Sequence, residues 1–549
     1  MTPTIVALSG RVSSGKTTLG ELLLKRRLGR RLSTSELLRE IAEEDGHSLR
    51  DRRALQEYGE RLDQETDGQW VADSLAPRIG DLPAGSLIVI DSIRIPAQID
   101  ALRRAFGRRV VHVHLTAPAE ELTTRYANRH SDIAELPDYG AVSENPTEAA
   151  VESLADRADV VIDSSLSTPE DVEIRCAARL GLLAEIGRPL VDVLVGGGYG
   201  SEGKGNVAYH LAPEYDILVR SGGPNAGHKV PVEPVFTHRL LPSGTLAAGS
   251  AQLVIAPGAT LDIEVLLDEI AQCGVDERRL SIDPRAFVIE QRDKNAEEIG
   301  KNSIGSTASG AGAATARRIL DARLNGDGYQ TAGDIAELRH YVRPIDQILS
   351  DAADRGLAVL VEGTQGSALS LFHGNYPHVT SRDTNVGGLL AETGVSPASI
   401  RHVIMVTRTY PIRVGGTSGP MGLEIDFETI AKRSGLVESE LLGSEVGSVS
   451  GKQRRVAEFD WTLLRRSAEL NGATDIALTF VDYLDVENRK AYRFEQLTHA
   501  TREFIEEVEL VAGCPVTMVS TNFAHGRGLI DRRTWRGYTR SHGGTDEPG

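Results

Sequence analysis

The sequence predicts an α/β protein of two P-loop-type domains, each a mostly parallel sheet with helices on both faces. Three observations carry this. An apolar run at residues 4–8 leads into GRVSSGKT at residues 10–17 and then into helical spacing. A second run, VDVLV at residues 191–195, leads into GGGYGSEGKG at residues 196–205. Around them, short apolar runs alternate with helical patterns, as parallel strands joined by crossover helices do. Both strand–turn–helix junctions offer backbone N–H groups to an anion.

The first domain is expected over residues 1–186. Its turn matches the P-loop pattern in full. Gly10 and Gly15 let the backbone close around phosphates, Lys16 reaches the outer ones, and the Thr17 hydroxyl can ligate Mg²⁺. A helix follows over residues 18–28. Residues 31–34 read as a short strand entering a helix that carries Thr34 and Arg39. Residues 87–91, LIVID, read as a strand ending in Asp91, with Arg94 and Gln98 just beyond. Arg94 thus stands past a strand end, where open α/β sheets bind ligands. A strand at residues 110–115 precedes a helix with Arg125 and Arg129. A strand at residues 158–163 and a helix over residues 168–183 close the domain, and EIGRP at residues 185–189 is a compact boundary.

The second domain is expected over residues 189–540. Gly198 to Lys204 has phosphate-loop spacing, but Gly205 stands where Ser or Thr would hold Mg²⁺. RSGGPNAGH at residues 220–228 is another glycine-rich turn, bearing Asn225 and His228. Strands are expected at residues 216–220, 253–256, 357–362, 402–407, 476–481 and 516–520. Ser201, Asn225, Gln365 and Asp482 all fall just past strand C-termini, where ligands sit in such sheets. The tail over residues 541–549 is polar.

Composition narrows the function. The 549 residues are 40% hydrophobic and 25% charged, with a net charge of −18. An acidic chain is a poor grip for nucleic acid. Cys176, Cys273 and Cys514 are too scattered for a disulfide framework or a zinc site and suit a reducing cytoplasm. No apolar run reaches the ~18 residues that span a bilayer, and the N-terminus has no secretion pattern.

With VEGTQG at residues 361–366, HGNYPHVTS at 373–381, GSVSGKQRR at 447–455 and LTFVDYLD at 478–485, the second domain resembles the adenylosuccinate synthetase family across nearly all of residues 189–535. The resemblance implies a ligase that joins a 6-oxopurine nucleotide to L-aspartate. A nucleoside triphosphate, GTP or ATP, phosphorylates the purine O6 with Mg²⁺, and the aspartate amine displaces phosphate. It implies a homodimer and small-molecule substrates. By the match, His228 is the acid at O6, Gly200, Gly203 and Lys204 cradle the triphosphate, the Gly227 carbonyl helps ligate Mg²⁺, and Gln365 fixes the purine. Asn225, Thr307 and Thr380 bind the acceptor 5′-phosphate, and Arg317 or Arg318 serves as the arginine lent by a second subunit. Ser450, Lys452 and Arg454 bind aspartate. Lys452 replaces a usual arginine and loses the bidentate fork. Asp482 reads guanine, but Phe480 replaces its usual lysine partner and Asn522 a usual glycine, so either triphosphate remains open.

One departure outweighs the others. The family's first loop carries Asp where this chain has Ser201, and that Asp takes the purine N1 proton and touches Mg²⁺. A serine hydroxyl cannot replace such a base. Serine also leaves room beside N1 for a 2-amino group, which resembles the phage-type branch that acts on dGMP. Use of IMP, and a silent nucleotide sensor, are the alternatives. The first domain resembles adenylate-kinase-like nucleoside monophosphate kinases. That implies acceptor binding by Thr34, Arg39, Arg94 and Gln98 and lid roles for Arg125 and Arg129.

Overall fold

The structure, a computed structural model, describes residues 3–25, 27–47, 49, 52–79, 83, 86–128, 139, 150–182, 190–304, 306–324, 329–447, 451–523 and 528–535. The chain divides into two units, Met1–Ile186 and Gly187–Gly549.

In the first unit five parallel strands lie in the order Gly29–Ser33, Leu87–Ile93, Thr4–Gly10, Val110–Thr116, Val160–Asp163. Ile5 and Ala7 pack with Ile88 and Ile90 on one face. Val6 and Leu8 pack with Val89 and Val113 on the other. Burial on both faces is why the strands read as unbroken apolar runs rather than alternating ones. The chain leaves Thr4–Gly10 toward one edge and later crosses to the other. Its C-terminal end is therefore a topological switch point, and the first glycine turn sits there. The first helix spans Lys16–Lys25, shorter than expected, and Leu28 beyond it is exposed. The closing helix is Pro169–Arg179, capped at Thr168 by a reciprocal bond with Asp171 and by Pro at its first position.

The second unit is built on nine strands in the order Leu280–Ile282, Gln252–Ile255, Ile217–Arg220, Ala358–Glu362, Leu190–Gly196, Ile400–Arg408, Asp475–Thr479, Val516–Ser520, Leu529–Asp531. All pairings are parallel except the last, which is antiparallel. Leu190–Gly196 lies in the middle. Val191, Val193 and Val195 pack into one core and Leu194 into the other. The polar Asp192 within this run is fully buried and satisfied by the Tyr215 hydroxyl at 2.7 Å and Arg401 Nε at 2.9 Å. One strand ends earlier than its apolar pattern indicates. The sequence extends it to Val481, but Phe480 takes a left-handed φ of 60° and turns the chain at Thr479.

Candidate active site

The second unit's glycine loop has an internal anion. Glu202 Oε1 accepts from Gly198 N at 3.1 Å and Gly200 N at 2.7 Å, and its Oε2 accepts from Lys204 Nζ at 2.6 Å. The Glu202 and Lys204 side chains are each 2% exposed. The amides and ammonium that would face a phosphate therefore hold a carboxylate instead. Three positive φ values within four residues, at Gly200 (87°), Ser201 (57°) and Gly203 (90°), shape the loop. No side chain fits at Gly196, where a Cβ would stand 2.5 Å from the Gln365 carbonyl oxygen and 2.8 Å from Lys204 Nζ. Ser201 is exposed on the crest, and its carbonyl accepts from Arg408 Nη1 at 3.3 Å.

His228 opens the strand His228–Val230, and its Nδ1 meets the Glu362 carboxylate and, at 3.2 Å, the Ser243 hydroxyl. Glu362 ends its strand fully buried. It also accepts from Ser243 N at 2.7 Å and lies 3.5 Å from Arg220 Nη1. Arg220 is 1% exposed and donates to the carbonyls of Leu241 and Ala226, each at 3.0 Å. Burial first, and the Arg220 guanidinium second, push the imidazole down to about 4 against the pull of Glu362. Burial alone would raise Glu362. Arg220 and the hydrogen bonds from His228 and Ser243 outweigh it and hold the carboxyl at about 2. The resting state is a neutral imidazole donating from Nδ1 to an ionised glutamate, which leaves Nε2 as the ring's acceptor.

Buried polar atoms without partners adjoin the second glycine turn. Asn225 Oδ1, Thr260 Oγ1 and Gln365 Nε2 are buried without a hydrogen-bond partner. Gln365 takes a φ of 55°, and its other amide atom accepts from Thr364 Oγ1 at 2.8 Å. A Cβ on Gly223 would lie 2.6 Å from Thr260 Oγ1 and 3.0 Å from Asn225 Oδ1, so glycine keeps this space open. Buried polar atoms are rarely left unpaired, and these call for a ligand, ion or water as their partner.

Other expected residues divide. Thr307 bonds Ser309 Oγ at 3.3 Å, and Thr380 is half-buried with its amide on the Leu369 carbonyl. Arg317 is a correction. It is buried in a pair with Asp293 at 2.7 and 2.9 Å, with Glu290 at 2.9 Å, so its guanidinium is committed within its own chain. Arg318, half-buried on the Pro257 carbonyl at 2.9 Å, is the remaining candidate. Arg454 pairs with Glu445 at 2.9 Å, as does Arg408 at 2.7 Å, while Lys452 is exposed. Asp482 is buried and raised by burial despite Arg489 Nε at 3.0 Å. Arg489 is thus the cation that faces Asp482, and the Phe480 ring carries the Arg408 guanidinium at 3.9 Å. Asn522 Oδ1 is unpaired, and its Nδ2 donates to the Arg489 carbonyl at 3.3 Å. Arg129 and Ser450 lie outside the described residues. Sequence reasoning missed Glu202, Arg220 and Glu362 as functional residues. Each stands inside a motif it had singled out, so the signal was an ionisable side chain at a strand end or on a glycine turn.

The first unit holds a cavity of about 600 Å³ lined by Lys16, Thr17, Thr34, Arg94, Gln98 and Arg125 among others. Lys16 Nζ donates to the Gly10 and Arg11 carbonyls, each at 2.8 Å. Thr17 Oγ1 donates to Asp91 Oδ2 at 2.8 Å, and Arg31 reaches the same oxygen at 3.1 Å. Thr34 Oγ1 bonds the Asp91 and Ser92 carbonyls at 3.1 Å. Arg94 N donates to Gln98 Oε1 at 2.9 Å. Arg125 is held by Glu121 at 3.0 Å and the Ser164 hydroxyl at 2.9 Å. Arg39 does not join them. It is exposed on the helix Thr34–Glu44 and lies outside the cavity wall, because the turn after Thr34 buries Leu37 and Leu38 instead.

The adenylosuccinate synthetase family model matches residues 193–325 and 327–489, more than half the chain. The chain belongs to the adenylosuccinate synthetase family. Adenylosuccinate synthetase of Methanocaldococcus jannaschii is 39% identical over 341 residues, 60% of this chain and 93% of that protein. The Pyrococcus horikoshii enzyme of the same name is 37% identical over 351 residues, 62% of this chain and 98% of that protein. Among solved structures, fully ligated adenylosuccinate synthetase from Plasmodium falciparum aligns with a TM-score of 0.54 at 20% identity, covering 63% of this chain and 100% of that one, a likeness of fold. The cyanophage S-2L succinoaminodeoxyadenylate synthetase, solved with dGMP and with dATP as energy donor, aligns at 26% identity with a TM-score of 0.53, covering 63% and 96%. The model described as an AAA domain matches residues 6–145. This adenylosuccinate synthetase-type ligase therefore carries an additional, kinase-like P-loop domain before the family's own stretch. None of its described helices is long and apolar enough to cross a membrane.

Proposed function

We propose that the second unit condenses dGMP with L-aspartate, using GTP or ATP, and that the first unit transfers a phosphoryl group to a nucleoside monophosphate. Ser201 carries the acceptor reading. It occupies the crest of the phosphate loop as a small neutral side chain, where the family pattern has a carboxylate. The likeness to the cyanophage enzyme bound to dGMP supports it. IMP is the second reading, favoured by the higher identity, 39%, of an archaeal adenylosuccinate synthetase.

The chemistry follows from the residues. An amide-like purine C6 is a poor electrophile until its oxygen becomes a phosphate ester, so the site must gather polyanions and stabilise their charge. Incoming phosphates displace Glu202 from the amides of Gly198 and Gly200 and from Lys204, which the loop already aims inward. The same negative charge favours the protonated imidazole, so His228 gains a second proton at Nε2 and donates it toward O6, while the Glu362 carboxylate accepts from Nδ1–H and stabilises the imidazolium. Asn225 and Gln365 give their unpaired buried atoms to the acceptor. With Ser201 unable to act as base, the purine N1 proton leaves to water or to substrate phosphate. Mg²⁺ fits the hard oxygen donors Thr17 and Asp91 of the first unit, and by the family match Ser201 and the Gly227 carbonyl would hold it in the second. Bound there, the ion would offset the negative charge of the phosphate chain. The described residues hold no cluster of three His, Cys, Asp or Glu, and an ion shared with phosphates and water needs none. We place the enzyme in the cytoplasm as a homodimer. The free cysteines suit a reducing compartment, and Ile319 and Leu320 expose an apolar strip beside Arg318.

The test is turnover. The full chain is incubated with aspartate, either triphosphate, and dGMP or IMP, and the succinyl product is read by mass. Product from dGMP supports the proposal. Product from IMP alone overturns the acceptor, and product from neither overturns the ligase activity.

A further inference from the structure

The first unit's cavity has a chemically distinct end. The helix Arg52–Thr66 contributes Gln56, Glu60 and Asp63 to its wall, and Leu38, Leu55 and Trp70 flank them. This end is acidic and apolar, whereas Lys16, Arg31 and Arg94 line the wall built from the glycine turn and the strand ends. The Asp63 carboxylate is held in place from one side. Trp70 Nε1 donates to Oδ1 at 2.7 Å, and Gln98 Nε2 donates to Oδ1 at 2.9 Å and Oδ2 at 3.2 Å. Gln98 is itself fixed, because its Oε1 accepts from Arg94 N at 2.9 Å. Oδ1 is thereby filled, while Oδ2 keeps capacity for a further donor. Gly59, one turn before Asp63 on the same wall, adds no side chain. A Cβ there would stand 3.2 Å from Leu38 Cδ1, so the glycine lets the helix pack closely against Leu38 on this wall.

We propose that Asp63 is a specificity-determining residue of the phosphoryl acceptor site, its Oδ2 accepting from an exocyclic amino group on the acceptor's nucleobase. The ligand class is a nucleoside monophosphate with an amino-bearing base. Its phosphate lies toward Arg31 and Arg94, and its flat ring lies against Leu38, Leu55 and Trp70. A base that presents a carbonyl at that point meets an acceptor with an acceptor and is rejected. This deepens the kinase reading and rests on it. Gln98 acts as a positioning residue, since its amide is spent on Arg94 N and Asp63.

The experiment uses the full chain without aspartate, so the ligase step has no nucleophile. Diphosphate formation from dGMP, dAMP and dIMP is measured with ATP and Mg²⁺. The base of dIMP equals that of dGMP without the 2-amino group, so the wild-type comparison needs no variant. The better of dGMP and dAMP is expected to exceed dIMP at least tenfold in kcat/KM. Asp63→Asn turns an amide NH₂ into the cavity while its oxygen keeps Trp70 and Gln98. That variant is expected to narrow the ratio at least tenfold with the protein's melting curve retained. Equal use of all three acceptors by the wild type, or an unchanged ratio in Asp63→Asn, overturns the assignment. Transfer to no acceptor overturns the kinase reading instead. Calorimetry then decides Asp63: weaker dGMP and dAMP binding in Asp63→Asn with dIMP binding kept supports it, and unchanged affinities for all three overturn it.

Discussion

Glu362→Gln tests the centre of the ligase site. The two side chains are isosteric, so the perturbation is one of charge and proton count. Glu362 accepts from His228 Nδ1, the Ser243 hydroxyl and Ser243 N, and it faces Arg220, all inside the protein. A glutamine can keep its oxygen on Ser243 N only by turning its NH₂ toward His228 and the serine hydroxyl. The imidazole must then move its proton to Nε2, and its protonated form loses the anion that stabilises it. Arg220 is left as a buried cation without its counter-charge, which costs about 3–5 kcal/mol. The catalytic loss is that of a misdirected general acid, roughly 10²–10⁴ in kcat. The assay follows succinyl product by mass at saturating substrates, at a temperature where circular dichroism shows the variant folded. KM for aspartate is expected within threefold of wild type, since the loop carrying Arg454, proposed to bind aspartate, is anchored by Glu445 instead. A kcat within threefold of wild type refutes the idea that His228 works through Glu362.

Ser201→Asp leaves the backbone undisturbed, because Asp accepts a φ of 57° as readily as serine. It is expected to lower kcat/KM for dGMP by about tenfold or more, on the order of 1–3 kcal/mol, and to favour IMP. Unchanged dGMP use removes Ser201 from acceptor choice. Lys16→Met, which takes away an ammonium now parked on the Gly10 and Arg11 carbonyls, is expected to abolish diphosphate formation and leave succinyl product within twofold. Loss of both activities contradicts independent sites. Acidification is the fourth test. His228 titrates at about 4 in the folded protein against 6.5 unfolded, so its stabilising contribution is complete above pH 6.5 and is lost as pH falls toward 4. Over that window the loss from this group reaches about 2 kcal/mol by pH 5. Burial holds His112 and His114 at about 4 as well, and they act in the same direction. Urea melts at pH 7 and pH 5 of wild type and His228→Asn check this. An equal pH dependence in both proteins shows that His228 is not buried neutral.

Local sequence determined the two phosphate loops, the alternation of strands and helices, and the placement of Ser201, Asn225, Gln365 and Asp482 at strand ends. Strands buried on both faces are apolar along most of their length, and a chain that closes on a phosphate must have glycine at fixed spacing, so both features are written in consecutive residues. Only the tertiary structure decided what those residues touch. Glu362 and His228 are 134 positions apart, and Arg317 meets Asp293 across 24. No spacing rule distinguishes a ligand-binding arginine from one committed to a neighbouring helix. Arg39 and Arg125 looked equivalent as helix-borne cations, yet one points to solvent and the other lines the cavity. Phe480 ended its strand through a left-handed φ that its side chain does not announce. Periodicity records burial and turn geometry along the chain, whereas pairing of charges depends on which strand ends the sheet brings side by side.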